Sequence, residues 1–126
     1  MGPDAANPRG ANKWGHIIEI HEQADDHTGS NFNWEVFLLA GDPRGGKLIT
    51  ELKDLQPGLD TNSVYFGGYA NAADLSAIGS PDNIGFDPAG NLWIVSDGDQ
   101  PHGGNNGCWA CPTKGPERGK LQQFMD

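Results

Sequence analysis

The chain has 126 residues and a net charge of −9, from 17 acidic and 8 basic side chains. This length allows one domain with a modest core. An acidic surface repels the phosphate backbone of nucleic acids and the headgroups of anionic lipids, so composition argues against nucleic-acid binding and membrane docking. The acid excess suits divalent cations, because hard cations prefer carboxylate oxygens, although it also serves solubility alone.

Glycine and proline are abundant, at 19 and 9 residues, and they punctuate well-formed apolar runs. This composition favours a turn-rich, all-β fold of antiparallel sheets with long loops over a disordered chain. No run is apolar enough to span a bilayer, and residues 1–5 lack the basic and apolar regions of a signal peptide. We expect residues 1–126 to form a single, partial domain.

The first half of the sequence predicts an antiparallel hairpin. Residues 15–21 form a short run rich in β-branched isoleucine. Residues 32–40 alternate between apolar and polar side chains before they become continuously apolar. This second strand is expected to enter a core in which both of its faces are buried. Farther along, the spacing of leucines predicts a short helix over 48–55, residues 63–66 suggest a brief strand, and residues 67–81 indicate a loop.

The clearest pattern is a second hairpin, with strands over residues 83–87 and 91–96. The segment Asp87-Pro88-Ala89-Gly90-Asn91 joins them, with a proline that presets φ and a glycine that accepts a left-handed conformation. Residues 107–111 and 120–124 predict two further strands joined by a polar turn. The chain stops directly after the last strand, which we interpret as a sign that the sequence is part of a longer protein.

Cys108 and Cys111 are three residues apart on a predicted strand. Side chains at that spacing point to opposite faces, which disfavours both a disulfide and shared metal ligation. We therefore expect buried, structural thiols, although the sequence does not fix their role. His16 and His21 are likewise expected to be structural, because no further ligand clusters with them in sequence.

The pattern P-D-x-I-x-F-D-x-x-G-N-L-W from residue 81 onward is typical of half a β-propeller blade. The motifs on either side make the resemblance more specific, because all of them occur in the same order as in one family. The chain resembles the PhoX family of secreted alkaline phosphatases, and the matching segments are residues 7–18 (NPRGANKWGHII), 32–41, 65–69 (YFGGY), 80–83 and 115–119.

This resemblance implies about one to two blades of a β-propeller from a metal-dependent phosphate monoester hydrolase. It implies a calcium and iron site built from several blades, a phosphate ester substrate, and a periplasmic or secreted location. Only a middle-to-late part of the family chain is covered, so the isolated chain is expected to be catalytically incomplete. The cysteine that binds iron in the family lies earlier in its chain, and neither Cys108 nor Cys111 corresponds to it.

Three residues are candidates for the site that the resemblance implies. Asp82 is the acid of the S-P-D-N segment and a candidate calcium ligand, and Asn83 could add a carbonyl oxygen. Arg9, in the N-P-R segment, could bind phosphate through its guanidinium group. The alternatives are an Asx turn for Asp82 and Asn83 and a surface ion pair for Arg9.

Two other functions remain open at this stage. The chain could be a non-catalytic, β-rich module for binding or assembly, or part of a lactonase-like propeller. A short set of blades leaves open strand edges that invite pairing between chains. We therefore expect a homo-oligomer formed through those edges.

Overall fold

The structure is a computed structural model that describes residues 14–41 and 75–126. Within these ranges the chain forms strands only, apart from two short 3-10 turns at Gln23–Asp25 and Pro101–Gly103. None of the helical segments in the described part has the length and apolar character needed to cross a lipid bilayer. The strands are β1 (His16–Glu22), β2 (Phe32–Ala40), β3 (Leu75–Ser76), β4 (Pro81–Phe86), β5 (Asn91–Ser96), β6 (Cys108–Pro112) and β7 (Gln122–Met125).

The first sheet has the order β1-β2-β3. Strands β1 and β2 form the predicted antiparallel hairpin, with a register shift between Ile17 and Ile18. Burial increases along β2, from an exposed Phe32 to a fully buried Ala40, because its second half enters the core. The predicted burial is therefore confirmed on the face of Leu38 and Ala40, whereas Phe37 and Leu39 on the other face are only partly buried.

The second sheet is an antiparallel meander with the order β4-β5-β6-β7. Four antiparallel strands joined in sequence are the arrangement of one propeller blade. The sheet leaves β4 at one edge and β7 at the other. The predicted all-β class is confirmed, and so is each of the hairpins on which the prediction depended.

The core lies between the two sheets. It contains side chains from β2, β5 and β6 together with Ile78, which follows β3; its buried members are Leu38, Ala40, Ile78, Leu92, Ile94, Trp109 and Cys111. Alternation along β5 explains its contribution, since Leu92, Ile94 and Ser96 are buried whereas Val95 is exposed. Neither sheet buries its apolar face without the other.

Several boundaries differ from the prediction. Strand β4 begins at Pro81, earlier than the predicted residue 83. A proline is tolerated at the first position of a strand because it needs no amide hydrogen bond there. Residues 75–76 were expected in a loop but pair with β2 in parallel, a contact too short for any sequence period to reveal. The predicted helix over 48–55 and the predicted strand over 63–66 lie outside the described residues.

The turn between β4 and β5 is organised by Asp87. Its carboxylate accepts hydrogen bonds from the Asn91 backbone N–H (2.9 Å), the Asn91 side-chain amide (2.9 Å) and the Trp93 indole N–H (3.1 Å). These donors favour the ionised form, with the Asn91 side chain contributing most, and they lower the pKa of Asp87 from 3.8 to about 2. Gly90 takes the left-handed conformation, with φ +84°, as the turn requires.

The ionised Asp87 is expected to stabilise the fold in a pH-dependent way. Its pKa is lower in the folded chain, so the stabilisation is complete above the ordinary carboxyl pKa and is lost as the pH falls towards about 2. Asp87→Asn should lower the melting temperature at neutral pH, and its difference from the wild type should shrink below about pH 4. Thermal unfolding followed by circular dichroism measures this difference.

Asp25→Asn is the matched control, because Asp25 is exposed and forms no hydrogen bond with the described residues. It should leave the melting temperature nearly unchanged at both pH values. A difference for Asp87→Asn that does not depend on pH would contradict the assigned role of the carboxylate.

Candidate metal-binding site

Asp82 lies within β4 at an irregularity of the strand. Pro81 is opposite Ser96 and Asn83 is opposite Val95, so Asp82 is the extra residue of a β-bulge. Bulges at a sheet edge redirect a side chain out of the regular alternation. The Asp82 side chain is exposed and forms no hydrogen bond or ion pair with residues that the structure describes. No residue of the described ranges therefore occupies the oxygens of this carboxylate.

The start of β4 is also where two of the sequence motifs meet. The backbone N–H of Ser80 donates a hydrogen bond to the carbonyl of Trp14, at 2.8 Å. Gly15 lies against the Pro81 ring, since a Cβ built at Gly15 would be 3.3 Å from Pro81 Cδ. Trp14 and Ser80 are 66 positions apart in sequence. Residues 14–15, which belong to the N-P-R segment, are nevertheless neighbours of the S-P-D-N segment at one end of both sheets.

The candidate site residues have different outcomes. The alternative that Asp82 forms an Asx turn is wrong. Asp82 lies within β4, and its carboxylate accepts no hydrogen bond from the described residues. Asn83 is exposed next to it, on the face of the sheet that it shares with Val95. Arg9 lies outside the described residues. The role of each as a ligand stays a prediction.

A second cluster of potential ligands lies on the first sheet. Glu19 and Glu35 are directly opposite each other on β1 and β2, and His21 lies two residues beyond Glu19. Ligand atoms of these three residues are all within 4.8 Å of one another. Sequence reasoning missed this group, because the charges are adjacent only in the register of the hairpin.

Arg118 explains the cluster without a metal ion. Its guanidinium group donates hydrogen bonds to the carboxylates of Glu19 and of Glu35, the latter at 2.5 Å, and it lies 4.7 Å from the centre of the Phe37 ring. Like charges directly opposite each other destabilise a sheet, and a guanidinium fork neutralises both. Arg118 belongs to the loop between β6 and β7, so this contact joins the two sheets.

The two cysteines are free thiols on opposite faces of β6. Cys111 is buried in the core, and desolvation raises the pKa of its thiol, an effect that the positive charge of Arg118 opposes. Cys108 is only half-buried, in contrast to the expectation that both thiols are buried. Their separation across the sheet agrees with the predicted absence of shared ligation.

An apolar groove of about 310 Å³ opens between the sheets at the end opposite Asp82. Ile20, Ile84 and Phe86 line it and remain more than half exposed, with exposed fractions of 53%, 55% and 69%. Its lining is mostly aliphatic and aromatic, with Glu19 as its charged member, so it does not suit a phosphate ester.

Arg118→Met should destabilise the chain, because it leaves Glu19 and Glu35 facing each other without the guanidinium group that bridges them. The three side chains are between 33% and 55% exposed, so solvent screening limits the expected loss of unfolding free energy to about 1 kcal/mol. Urea unfolding measures it. Adding Glu35→Gln should recover part of the loss.

Lys120→Met is the matched control, since Lys120 forms an exposed ion pair with Glu117 at 2.8 Å and contacts no pair of acids. It should change the unfolding free energy by less than about 0.5 kcal/mol. Equal losses for the two variants would show that the acidic pair on the first sheet does not depend on Arg118.

Comparison with known proteins identifies the relatives of this chain. The family model described as alkaline phosphatase PhoX matches residues 2–126. Among solved structures, the chain is similar to Pseudomonas fluorescens PhoX in complex with vanadate, a transition state analogue, with 28% sequence identity and a TM-score of 0.65. No curated protein matches the chain.

The structural match covers 98% of this chain but 19% of the Pseudomonas chain, so the sequence spans about a fifth of that relative's length. The all-β fold, with its four-stranded meander, agrees with this match. The extent of the family match shows that the chain belongs to the alkaline phosphatase PhoX family.

Proposed function

We propose that this chain is part of a metal-dependent phosphate monoester hydrolase and that Asp82 is one of its calcium ligands. The observation that supports this role most directly is the placement of Asp82. It is the bulged residue at the start of an edge strand, its carboxylate is exposed, and no described residue hydrogen-bonds to it. Bulges are frequent next to active sites, where they aim a side chain at a ligand.

The donor atoms at this edge fit calcium. A carboxylate and a neighbouring amide, from Asp82 and Asn83, offer hard oxygen ligands of the kind that calcium prefers. Calcium takes six to eight such oxygens, so about two side chains from this segment leave most of the shell to other parts of the protein. The isolated chain is accordingly proposed to be catalytically incomplete, and residues 1–126 to form one partial domain of a larger propeller.

The family resemblance implies a second metal and a phosphate contact. A bound cation would supply charge neutralisation for a phosphate ester. Arg9 is proposed to bind phosphate through its guanidinium group, which matches phosphate oxygens bidentately. We do not assign Cys108 or Cys111 as an iron ligand, because Cys111 is buried in the core and Cys108 lies on the other face of β6.

The surroundings proposed for this chain follow from the family and from its strand edges. A periplasmic or secreted location and a phosphate ester substrate are proposed from family membership. Strands β4 and β7 end the second sheet on either side, and within residues 14–41 and 75–126 no further strand pairs with their outer backbone groups. We therefore propose that the isolated chain forms homo-oligomers through these edges.

Light scattering on a size-exclusion column tests the proposed self-association. The chain should elute as a dimer or a larger species whose mass falls on dilution, because pairing through strand edges is concentration-dependent. A monomer at every concentration would contradict the proposal for the isolated chain.

A chimeric enzyme tests the proposed hydrolase function. Residues 2–126 would replace the aligned fifth of Pseudomonas fluorescens PhoX, and hydrolysis of an aryl phosphate would be measured with calcium and with a calcium chelator. The chimera should hydrolyse the ester only with calcium. Asp82→Asn should lower the rate at least about 100-fold, because a missing ligand weakens both cation binding and charge stabilisation.

Asp25→Asn is the matched control in the chimera, since it makes the same chemical change at an exposed turn between β1 and β2. It should leave the rate within about twofold of the unmodified chimera. A folded chimera in which Asp82→Asn retains full activity would contradict the assignment of Asp82.

A further inference from the structure

Gln100 is a buried polar side chain in the connection between β5 and β6, with 7% of its surface exposed. Its Oε1 accepts a hydrogen bond from the Gly79 N–H (2.9 Å), and its Nε2 donates one to the Gly79 carbonyl (2.8 Å). The amide thus pairs with both backbone groups of one residue, as a neighbouring strand would. Burial of an amide is costly unless it is paired in this way.

Asn106 connects this pair to the ends of β5 and β6. Its Oδ1 accepts hydrogen bonds from Gln100 Nε2 (3.2 Å), the Gly98 N–H (3.0 Å) and the Ser96 hydroxyl (3.3 Å). The Ser96 hydroxyl oxygen in turn accepts from the Gly107 N–H, at 3.1 Å. The two ends of the connection are therefore held together by these side chains in addition to the backbone bond from the Ser96 N–H to the Gly107 carbonyl, at 3.1 Å.

The network ends at the residues that precede Asp82. The Asp97 N–H donates to the Ser80 carbonyl (3.0 Å), and the Ser80 hydroxyl donates to the Asp99 carbonyl (3.3 Å). Ser80 has a φ of +48°, a conformation that a non-glycine residue adopts only when its surroundings enforce it. Gly98 makes room for it, since a Cβ there would lie 2.6 Å from Ser80 Oγ.

We propose that Gln100 and Asn106 are positioning residues that hold residues 79–82 in the geometry that lets Asp82 bind a divalent cation. This inference depends on the proposed function, in which Asp82 is a calcium ligand. A ligand whose backbone is already fixed loses less conformational entropy when the cation binds, and residues that orient metal ligands affect affinity strongly. Neither Gln100 nor Asn106 needs to contact the cation.

Calcium titration followed by amide NMR tests this role on the 126-residue chain, because NMR detects the weak affinity expected of a partial shell. In the wild type, calcium should shift the amide signals of Asp82 and Asn83. Gln100→Leu, which keeps the side-chain volume, and the milder Asn106→Ala should each weaken the calcium affinity about tenfold.

Thr113→Val is the matched control. The Thr113 hydroxyl donates to the Gly90 carbonyl at 2.7 Å, so the variant removes a hydrogen bond to the backbone at the opposite end of the same sheet. It should leave the calcium affinity within about twofold, even where it lowers the melting temperature as much as Asn106→Ala. Wild-type affinity in both Gln100→Leu and Asn106→Ala, or an equal loss in Thr113→Val, would overturn the proposal.

Hydrogen exchange separates failure of this inference from failure of the proposed function. Absence of calcium binding in the wild type, or unchanged binding in Asp82→Asn, overturns the ligand role of Asp82. Hydrogen exchange of the Ser80 and Asp97 amides then tests the positioning role of Gln100 and Asn106 independently of calcium binding. Both amides should exchange about tenfold faster in Asn106→Ala and Gln100→Leu, while the Gly119 amide, bonded to the Pro112 carbonyl, stays unchanged. Unchanged exchange at Ser80 and Asp97 would overturn the positioning role.

Discussion

The close approach of Gly79 to its neighbours is the constraint on which the described structure depends most. A Cβ at this position would lie 2.2 Å from the Asp99 carbonyl oxygen and 2.8 Å from Trp14 Cε3, so only glycine fits without displacing backbone. Trp14 packs against the core from the start of the first sheet, and Asp99 follows the second strand of the other. Gly79 therefore lets the two sheets approach at one end, where the start of β4 lies.

The described interactions divide the molecule into two ends with different chemistry. At the end near Gly79, side chains of Gln100, Asn106 and Ser80 add hydrogen bonds to the backbone pairing. The Asp82 carboxylate has no partner there among the described residues. At the other end, the Asp87 carboxylate accepts hydrogen bonds from Asn91 and Trp93. Arg118 neutralises Glu19 and Glu35 of the first sheet. Of these carboxylates, Asp82 is the one whose surroundings leave it available to a cation, which is why it carries the functional proposal.

Local patterns in the sequence predicted the hairpins because alternation and turn chemistry act over a few residues. Asp87, Gly90 and the apolar strands beside them specify their turn mainly through contacts within a few residues. Other features depend on register and on contacts far apart in sequence, such as the bulge at Asp82. The contacts of Arg118 with Glu35 and Glu19 span 83 and 99 positions, so no window of the sequence reveals them. The S-P-D-N motif located the candidate ligand, but its bulged setting arises from the register of β4 against β5, which the motif does not specify.

Asp82 is proposed to bind a cation at the end of both sheets, and a crystal structure grown with calcium would show whether it does. The account predicts anomalous density bonded to a carboxylate oxygen of Asp82, at the distance of about 2.3–2.6 Å that is usual for calcium. It also predicts that Arg118 stays between Glu19 and Glu35. Calcium bound to Glu19, His21 and Glu35 with Arg118 displaced, and none at Asp82, would contradict the account.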